Sequence, residues 1–386
     1  MFWAAVGTIA YTYLIFPIWL AIRGLARPVP IASADIAPSV SVIIPAYNEA
    51  ATIGRKLDSV LAQNYRADRL QLIVASDGSE DETTEVVRRY AHRGVLLLAL
   101  PRSGKSRAIQ SAVTRASGAI LVFSDANSTL APDALANLVR PFADSQVGGV
   151  AGDQRYRSSA DADLSAGERK YWDIDRSMKL AESAAGSIVG ATGSLYALRR
   201  ELFRPIPHGV NDDYFVSATA VLLGYRLVFA PDAIAYEDAA QSMQAEYARK
   251  VRLMTRGIRT DLVLRGLLNP FKYGTHSVVF FSHKVLRRLV AVALVVTALA
   301  SPALWQRGWI YRVAGLGQAI VYGLGLIGIL AARKGVVPPP LALPAFFCLV
   351  HAAALAAIWN VLRGRKIDRW SVRRGEAAPV GHGADG

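Results

Sequence analysis

Residues Phe2 to Ile22 carry no charged side chain, and as a helix rising 1.5 Å per residue such a run is long enough to cross about 30 Å of hydrocarbon. A chain built this way has one end committed to lipid, so the run reads as a transmembrane anchor, with Trp3, Tyr11, Tyr13 and Trp19 along it. No basic stretch precedes it and no small-residue cleavage site follows, which argues against a cleaved signal peptide. Arg23 and Arg27 follow at once, and the positive-inside rule then places the next domain in the cytoplasm. Three further apolar stretches come late, Leu289 to Trp305, Val313 to Ala332 and Leu341 to Leu362, the first preceded by His283, Lys284, Arg287 and Arg288. Strict alternation puts the basic tail (Arg363, Arg365, Lys366, Arg369, Arg373, Arg374) outside, against the rule that fixes the other loops. Either one late segment is re-entrant, or the orientation is set upstream and the tail tolerates translocation.

The balance of side chains agrees with a chain partly in lipid: 52% are hydrophobic and only 19% charged. The net charge of +14 admits nucleic acid, anionic lipid or a phosphate-bearing substrate as partner. Its basic groups collect at the membrane flanks and at one candidate phosphate site instead of on a face interleaved with aromatics, so no nucleic acid is expected. His92, His208, His276, His283 and His351 are scattered without zinc-like spacing. The single cysteine, Cys348, makes no internal disulfide. The expected organisation is an anchor over 1–23, an α/β domain over 38–260, an interfacial segment over 261–288, three spans within 289–362 and a basic tail over 363–386. Within the interfacial part, Leu267 to Phe281 reads as surface-lying.

In the middle of the chain short β-branched runs alternate with helical patterns, the sign of a largely parallel sheet covered by helices. The clearest strands are Val40 to Ile44, Leu70 to Ala75, Val95 to Leu100 and Ala119 to Ser124, with helices over Ala50 to Gln63, Asp81 to Ala91, Lys105 to Ala116 and Pro132 to Phe142. Ligands of such sheets sit beyond the carboxyl ends of the strands. The segments there are Pro45-Ala46-Tyr47-Asn48-Glu49, Ser76-Asp77-Gly78-Ser79, Pro101 to Ser106, and Asp125-Ala126-Asn127. The Ser103-Gly104-Lys105-Ser106 run lacks the earlier glycine of a nucleotide-hydrolase phosphate loop, Ala99 standing in its place. A lysine at a helix N-terminus still favours phosphate oxygens, so Arg102 and Lys105 are candidate diphosphate contacts.

Val-Ile-Ile-Pro-Ala-Tyr-Asn-Glu (42–49), Ser-Asp-Gly-Ser-Glu-Asp (76–81), Arg-Ser-Gly-Lys-Ser (102–106), Phe-Ser-Asp-Ala-Asn (123–127), Thr-Gly-Ser-Leu-Tyr-Ala-Leu-Arg-Arg (192–200) and Asn-Asp-Asp (211–213) follow one another in order. Together they resemble the family 2 glycosyltransferases, inverting enzymes of the GT-A fold, and in particular the membrane-embedded branch with cellulose, chitin-oligosaccharide and hyaluronan synthases. The resemblance implies an α/β GT-A domain, for nucleotide-diphospho-sugar transfer, between N-terminal and C-terminal transmembrane helices. It also implies a divalent cation, Mg²⁺ or Mn²⁺, held by an Asp-x-Asp motif. Here Asp125 keeps the first acid and Asn127 replaces the second, an oxygen donor without charge; an Asp/Asn pair also caps helices. In the family the loop of Pro45, Tyr47 and Glu49 holds the uridine and Asp77 accepts a hydrogen bond from uracil, while Gly193 joins the substrate-binding set.

Inversion needs a base for the acceptor hydroxyl. Asn211-Asp212-Asp213 stands in register with the family's Thr-Glu-Asp, which makes Asp213 the base and Asp212 its charged neighbour. Of the family's Gln-x-x-Arg-Trp motif the chain keeps Arg252, a candidate diphosphate contact, with Leu253 where processive relatives have tryptophan. Tyr171-Trp172 and Glu182-Ser183 match a stretch near the acceptor. The expected function is a multi-pass inner (plasma) membrane glycosyltransferase, its catalytic domain cytoplasmic, that passes a sugar from a nucleotide sugar, UDP-linked, to a membrane glycan or glycolipid. The alternatives are a processive synthase that secretes its polymer and an inactive nucleotide-sugar-binding subunit.

Overall fold

The computed structural model describes residues 1–157, 165–238, 243–332 and 337–365; the tail beyond 365 lies outside the described residues. Its centre is one eight-stranded sheet in the order β3-β2-β1-β4-β7-β6-β8-β5. The strands are β1 (Val40–Ala46), β2 (Leu70–Asp77), β3 (Val95–Leu100), β4 (Ile120–Phe123), β5 (Thr129–Leu130), β6 (Val147–Arg157), β7 (Tyr196–Arg199) and β8 (Arg226–Asp238). Four of its seven neighbour pairings are parallel, as the sequence predicts for a largely parallel sheet. β1 pairs in parallel with β2 and β4, β2 with β3, and β6 with β8, but β7 runs antiparallel to both β4 and β6, and β5 antiparallel to β8.

Alternation along the strands builds two cores. Ile43, Ile73, Leu121 and Phe123 face one layer, with helices α4 (Lys105–Val113) and α7 (Asp212–Leu222). Val42, Ile44, Leu72 and Val74 face the other, with α2 (Ala50–Leu61), α3 (Thr83–Arg88) and α5 (Ala134–Val139). Pro45, expected in the loop, is instead a buried strand residue paired with Ala75. The missing N–H is tolerated because β1 pairs β4 only as far as Ile43, leaving one edge of the strand without a partner there.

Four helices are long and apolar enough to cross a membrane: α1 (Phe2–Ala26), α9 (Thr275–Ala303), α10 (Trp309–Ala332) and α11 (Pro339–Leu362). Of two long polar helices, α6 (Ser165–Ala185) falls between β6 and β7 in sequence and α8 (Met243–Val263) between β8 and α9. The apolar helices do not hang from the domain as tethers. Phe16 and Leu20 of α1 belong to the first core, as do Leu267, Val279 and Phe280. This corrects the surface-lying reading of Leu267 to Phe281: α9 opens at Thr275, and its first turns are packed into the domain because their apolar side chains have core partners there. Phe271, between them, is 99% exposed.

If the second half of α1 is a core element, truncating it should cost what a core truncation costs. Leu20→Ala, at a fully buried position, should lower stability by about 2 to 5 kcal/mol, whereas Ile18→Ala, at an exposed one, should change it by about 0.5 kcal/mol or less. Thermal unfolding of the purified protein in detergent separates the two.

Candidate active site

The carboxyl ends of β1, β2 and β4 bring the loops of the sequence motifs together. After β1 the chain turns at Asn48, whose φ of +52° an asparagine tolerates. Its Oδ1 accepts the Glu80 N–H at 2.8 Å, tying the β1 loop to the β2 loop. Glu49, expected to contact the nucleotide, is buried and occupied in closing this turn: its carboxylate accepts the Thr52 hydroxyl at 2.7 Å and its N–H donates to Thr83 Oγ1 at 2.7 Å.

Asp77 ends β2 with a carboxylate that is 0% exposed. It accepts the N–H groups of Ser103 (2.7 Å) and Gly104 (2.9 Å) and pairs with the Arg102 guanidinium. Arg102 also lies over the Tyr47 ring, 3.3 Å from its centre. So Arg102, read as a diphosphate contact, is placed with the residues expected at the base: Tyr47, Arg102 and Asp77 form one stack. Gly78 sits at φ +65°, where a Cβ would meet the Arg102 backbone at 2.7 Å, and only glycine lets the two loops approach this closely.

The second cluster centres on Lys105, the first residue of α4. Its ammonium lies 2.7 Å from Asp125 Oδ1 and 3.0 Å from Asp212 Oδ2, joining the loop after β4 to the N-terminus of α7. Burial works against that ammonium, but the carboxylates of Asp125, Asp212 and Asp213 outweigh it and hold the proton firmly. Asp212 also lies 3.6 Å from the Arg256 guanidinium of α8. Burial would raise its proton affinity, yet Lys105 and Arg256 bring the net shift below the ordinary carboxylate value. The adjacent Asp213 goes the other way: burial first, then the Asp212 charge, lift it to about 6. Two neighbouring acids are thereby pushed apart, the pattern of an acid and base pair with distinct tasks.

Gly193 passes against Asp125, where a Cβ would stand 2.6 Å from Oδ2, and its carbonyl accepts the Asp125 N–H at 3.0 Å. Arg252, half-buried on α8, is near enough to Asp125 and Asp212 to feel both charges, although burial beside Arg256 and Arg249 lowers its proton affinity overall. Tyr171 and Trp172 lie on α6 with side chains outside the described residues. Glu182 is fully buried, bonded to His283 Nδ1 and the Val189 N–H, and so joins α6 to α9.

Among the described residues no three His, Cys, Asp or Glu side chains are grouped to hold a metal ion. What the loop after β4 offers is the Asp125 carboxylate and, two residues on, the Asn127 amide, both half-exposed. Hard divalent cations near phosphates take few protein ligands and complete their shell with substrate oxygens and water. The donor set fits such a shared cation and does not fit an all-protein cage.

Lys56 is a residue that the motifs miss. It is fully buried beneath this loop, its ammonium donating to Ser124 Oγ at 2.5 Å and Ser128 Oγ at 3.0 Å. Both hydroxyls in turn reach the Ser194 carbonyl, so Lys56 fastens the Asp125 loop to the Gly193 loop from below. Its place with Ile53, Leu57 and Val60 on the apolar face of α2 is the signal that marks it.

The profile of glycosyl transferase family 2 matches residues 41–206. An N-acetylglucosaminyltransferase of Rhizobium leguminosarum bv. viciae is 26% identical over 243 residues, 58% of this chain and 57% of that one. Another, of Mesorhizobium japonicum, is 29% identical over 252 residues, 60% of this chain and 59% of that one. The chain thus spans somewhat under three fifths of these curated relatives. A solved mannosyltransferase, PcManGT from Pyrobaculum calidifontis in complex with GDP-Man and Mn²⁺, superposes with a TM-score of 0.72 at 26% identity, over 94% of this chain and 99% of that one.

Burial lowers the Lys56 ammonium to about 7, and this gives a signed prediction. Below pH 7 both folded and unfolded chains carry the proton and the burial penalty is complete. Between about 7 and 10.5 the unfolded chain still binds a proton that the folded one has released, so native stability climbs with pH. Lys56→Met removes the climb: its melting temperature relative to the parent should be most favourable below pH 7 and lose ground as pH approaches 10.5. A difference independent of pH would mean that Lys56 keeps an ordinary proton affinity.

Proposed function

We propose that this chain, which carries a family 2 glycosyltransferase domain over residues 41–206 on a GT-A sheet, transfers a sugar with inversion from a UDP-sugar to a glycan or glycolipid acceptor at the plasma membrane. The observation that carries this reading is the divergence of Asp212 and Asp213 beside Lys105. Breaking the glycosidic bond leaves charge on a diphosphate. Lys105, with Arg256 and Arg252 behind it, supplies positive charge on the side of the cleft where Asp125 lies. Asp125 and Asn127 would hold a divalent cation, which when bound neutralises the same diphosphate. Asp213, half-buried at the first turn of α7 with a raised proton affinity, takes the proton of the attacking acceptor hydroxyl. Tyr47, Arg102 and Asp77 form the base end of the donor site.

The curated relatives are N-acetylglucosaminyltransferases, which supports N-acetylglucosamine as the sugar. The mannosyltransferase bound to GDP-Man covers nearly the whole chain and favours a second reading, GDP-mannose as donor. Nucleoside diphosphate released by purified protein in detergent, with Mg²⁺ or Mn²⁺, decides between them: turnover of UDP-N-acetylglucosamine supports the first, turnover of GDP-mannose alone overturns it. Four helices of spanning length support a multi-pass membrane protein, and Arg23 and Arg27 support a cytoplasmic domain. The Leu253 carbonyl accepts Asn211 Nδ2 at 3.1 Å, so position 253, midway along α8, lies next to the residue before the two acids. An aliphatic residue there gives the acceptor sugar no aromatic platform, which favours addition of one or a few sugars.

Asp213→Asn should reduce transfer by about 10²- to 10⁴-fold while nucleotide binding, followed by calorimetry, is retained; Asp212→Asn should cost less. Equal losses would shift the base to the pair as a unit. Because the base must be unprotonated, kcat/KM should fall as pH drops through about 6. On a sizing gel the radiolabelled product of the purified protein should be one or a few sugars longer than its acceptor, and long polymer would install the processive synthase in its place.

A further inference from the structure

The sequence leaves a conflict: four crossings put a tail rich in arginine on the side of the membrane opposite the catalytic domain. The packing of α11 bears on it directly. α11 runs along α8, the polar helix whose Arg256 reaches the catalytic Asp212. Near one end of α11, Phe346 lies under the Lys250 ammonium, 5.5 Å from its ring centre. Just past the other end, the Arg365 carbonyl accepts the Arg259 guanidinium at 2.8 Å. On α11 the two contact points, Phe346 and Arg365, are 19 residues and so about 28 Å apart at 1.5 Å per residue, nearly the ~30 Å between opposite surfaces of the hydrocarbon.

For α11 to stand across the membrane, α8 would have to stand beside it. α8 carries Arg249, Lys250, Arg252, Arg256, Arg259 and Asp261 within its last four turns, and charged side chains at that density do not enter hydrocarbon. The other apolar helices behave differently. Phe2 and Trp3 of α1 meet Tyr311 at the start of α10, and Gly315 of α10 lies against Ser301 and Trp305 at the end of α9. α10 then approaches α11 at Gly325 and Gly328 in its last turns, against Leu341, Pro344 and Ala345 in the first turns of α11. α1, α9 and α10 therefore form a bundle with its far end at Phe2, Trp305 and Tyr311, and α11 departs from its near end.

We propose that α11 lies in the plane of the membrane, between α8 and the lipid, so that the chain crosses three times and its C-terminal tail stays on the side of the catalytic domain. One face of α11, with Ala342, Phe346, Leu349, Ala353 and Ala357, is buried at helical spacing. Leu343, Leu355, Trp359 and Leu362 are exposed and rest on acyl chains. The Arg363 guanidinium lies over Trp359, 4.2 Å from its ring, an aromatic and cation pair suited to the headgroup layer and its anionic lipids. With the tail on this side, the basic flanks of α1, α9 and α11 all lie with the catalytic domain, and Arg307 and Arg312, where α9 gives way to α10, are the exceptions.

This inference rests on the membrane reading above, and its test keeps the two apart. Full-length protein is expressed in a bacterial host with green fluorescent protein or alkaline phosphatase fused after Gly386, and with the same reporters inserted at Gly308 between α9 and α10. The tail fusion should be fluorescent and lack phosphatase activity, and the Gly308 insertion should show the opposite. Phosphatase activity at the tail in a membrane-bound fusion that still turns over donor would overturn the in-plane placement alone. Recovery of the fusions in the soluble fraction would overturn the membrane reading and this inference with it.

Discussion

One ammonium group holds the candidate site together. Lys105 enters from the N-terminus of α4, Asp125 from the loop after β4 and Asp212 from the N-terminus of α7, and the lysine's salt bridges at 2.7 and 3.0 Å tie the three together. Remove that charge and two carboxylates face each other with Asp213 beside them, a like-charge arrangement that raises proton affinity and pushes loops apart. The contrast between Asp212 and Asp213 follows from which of them Lys105 and Arg256 neutralise. Lys56 supports the same loop from the core side, a buried cation that trades solvation for two hydroxyls and so fixes where Asp125 can be.

The site is also held at a set height relative to the apolar helices. Leu20 of α1 and Phe280 of α9 are core residues of the sheet domain, Arg226 of β8 donates to the Val29 and Pro30 carbonyls just past α1, and Glu182 of α6 is bonded to His283 of α9. Domain and apolar helices share one core, so an acceptor confined to the bilayer would meet Asp213 without a hinge. α8 joins the two demands, with Arg256 on Asp212 and Lys250 over α11.

The parallel half of the sheet was legible in the sequence because β1 to β4 are largely apolar runs followed by polar turns and helices. The mixed half was not: β6 reads Val-Gly-Gly-Val-Ala-Gly-Asp-Gln-Arg-Tyr-Arg, with glycines that allow close approach, Gly148 to Tyr225 and Gly152 to Leu195, at the expense of any strand signal. Asp125, Asp212, Asp213, Lys105 and Arg252 were found by motif register, and the structure brings them together. For Glu49, Pro45 and Arg102 motif register says that they recur at a site and not which way each faces. Glu49 is spent on its own turn, Pro45 is strand core, and Arg102 belongs to the base stack. Lys56 escaped because a lysine in a helix is ordinarily solvated, although its place on an apolar face was visible.

The central claim is that Lys105 sets the proton affinity of Asp213. Burial and the Asp212 and Asp125 charges raise it, and Lys105, with the Tyr214 N–H, pulls it back toward the ordinary carboxylate value. The pH dependence of kcat/KM in Lys105→Met, measured with saturating divalent cation, tests this most directly. The loss of activity on the acid side should move to higher pH than in the parent, whatever the drop in absolute rate. An acid limb that stays where the parent has it, or moves down, would contradict the electrostatic coupling on which the site depends.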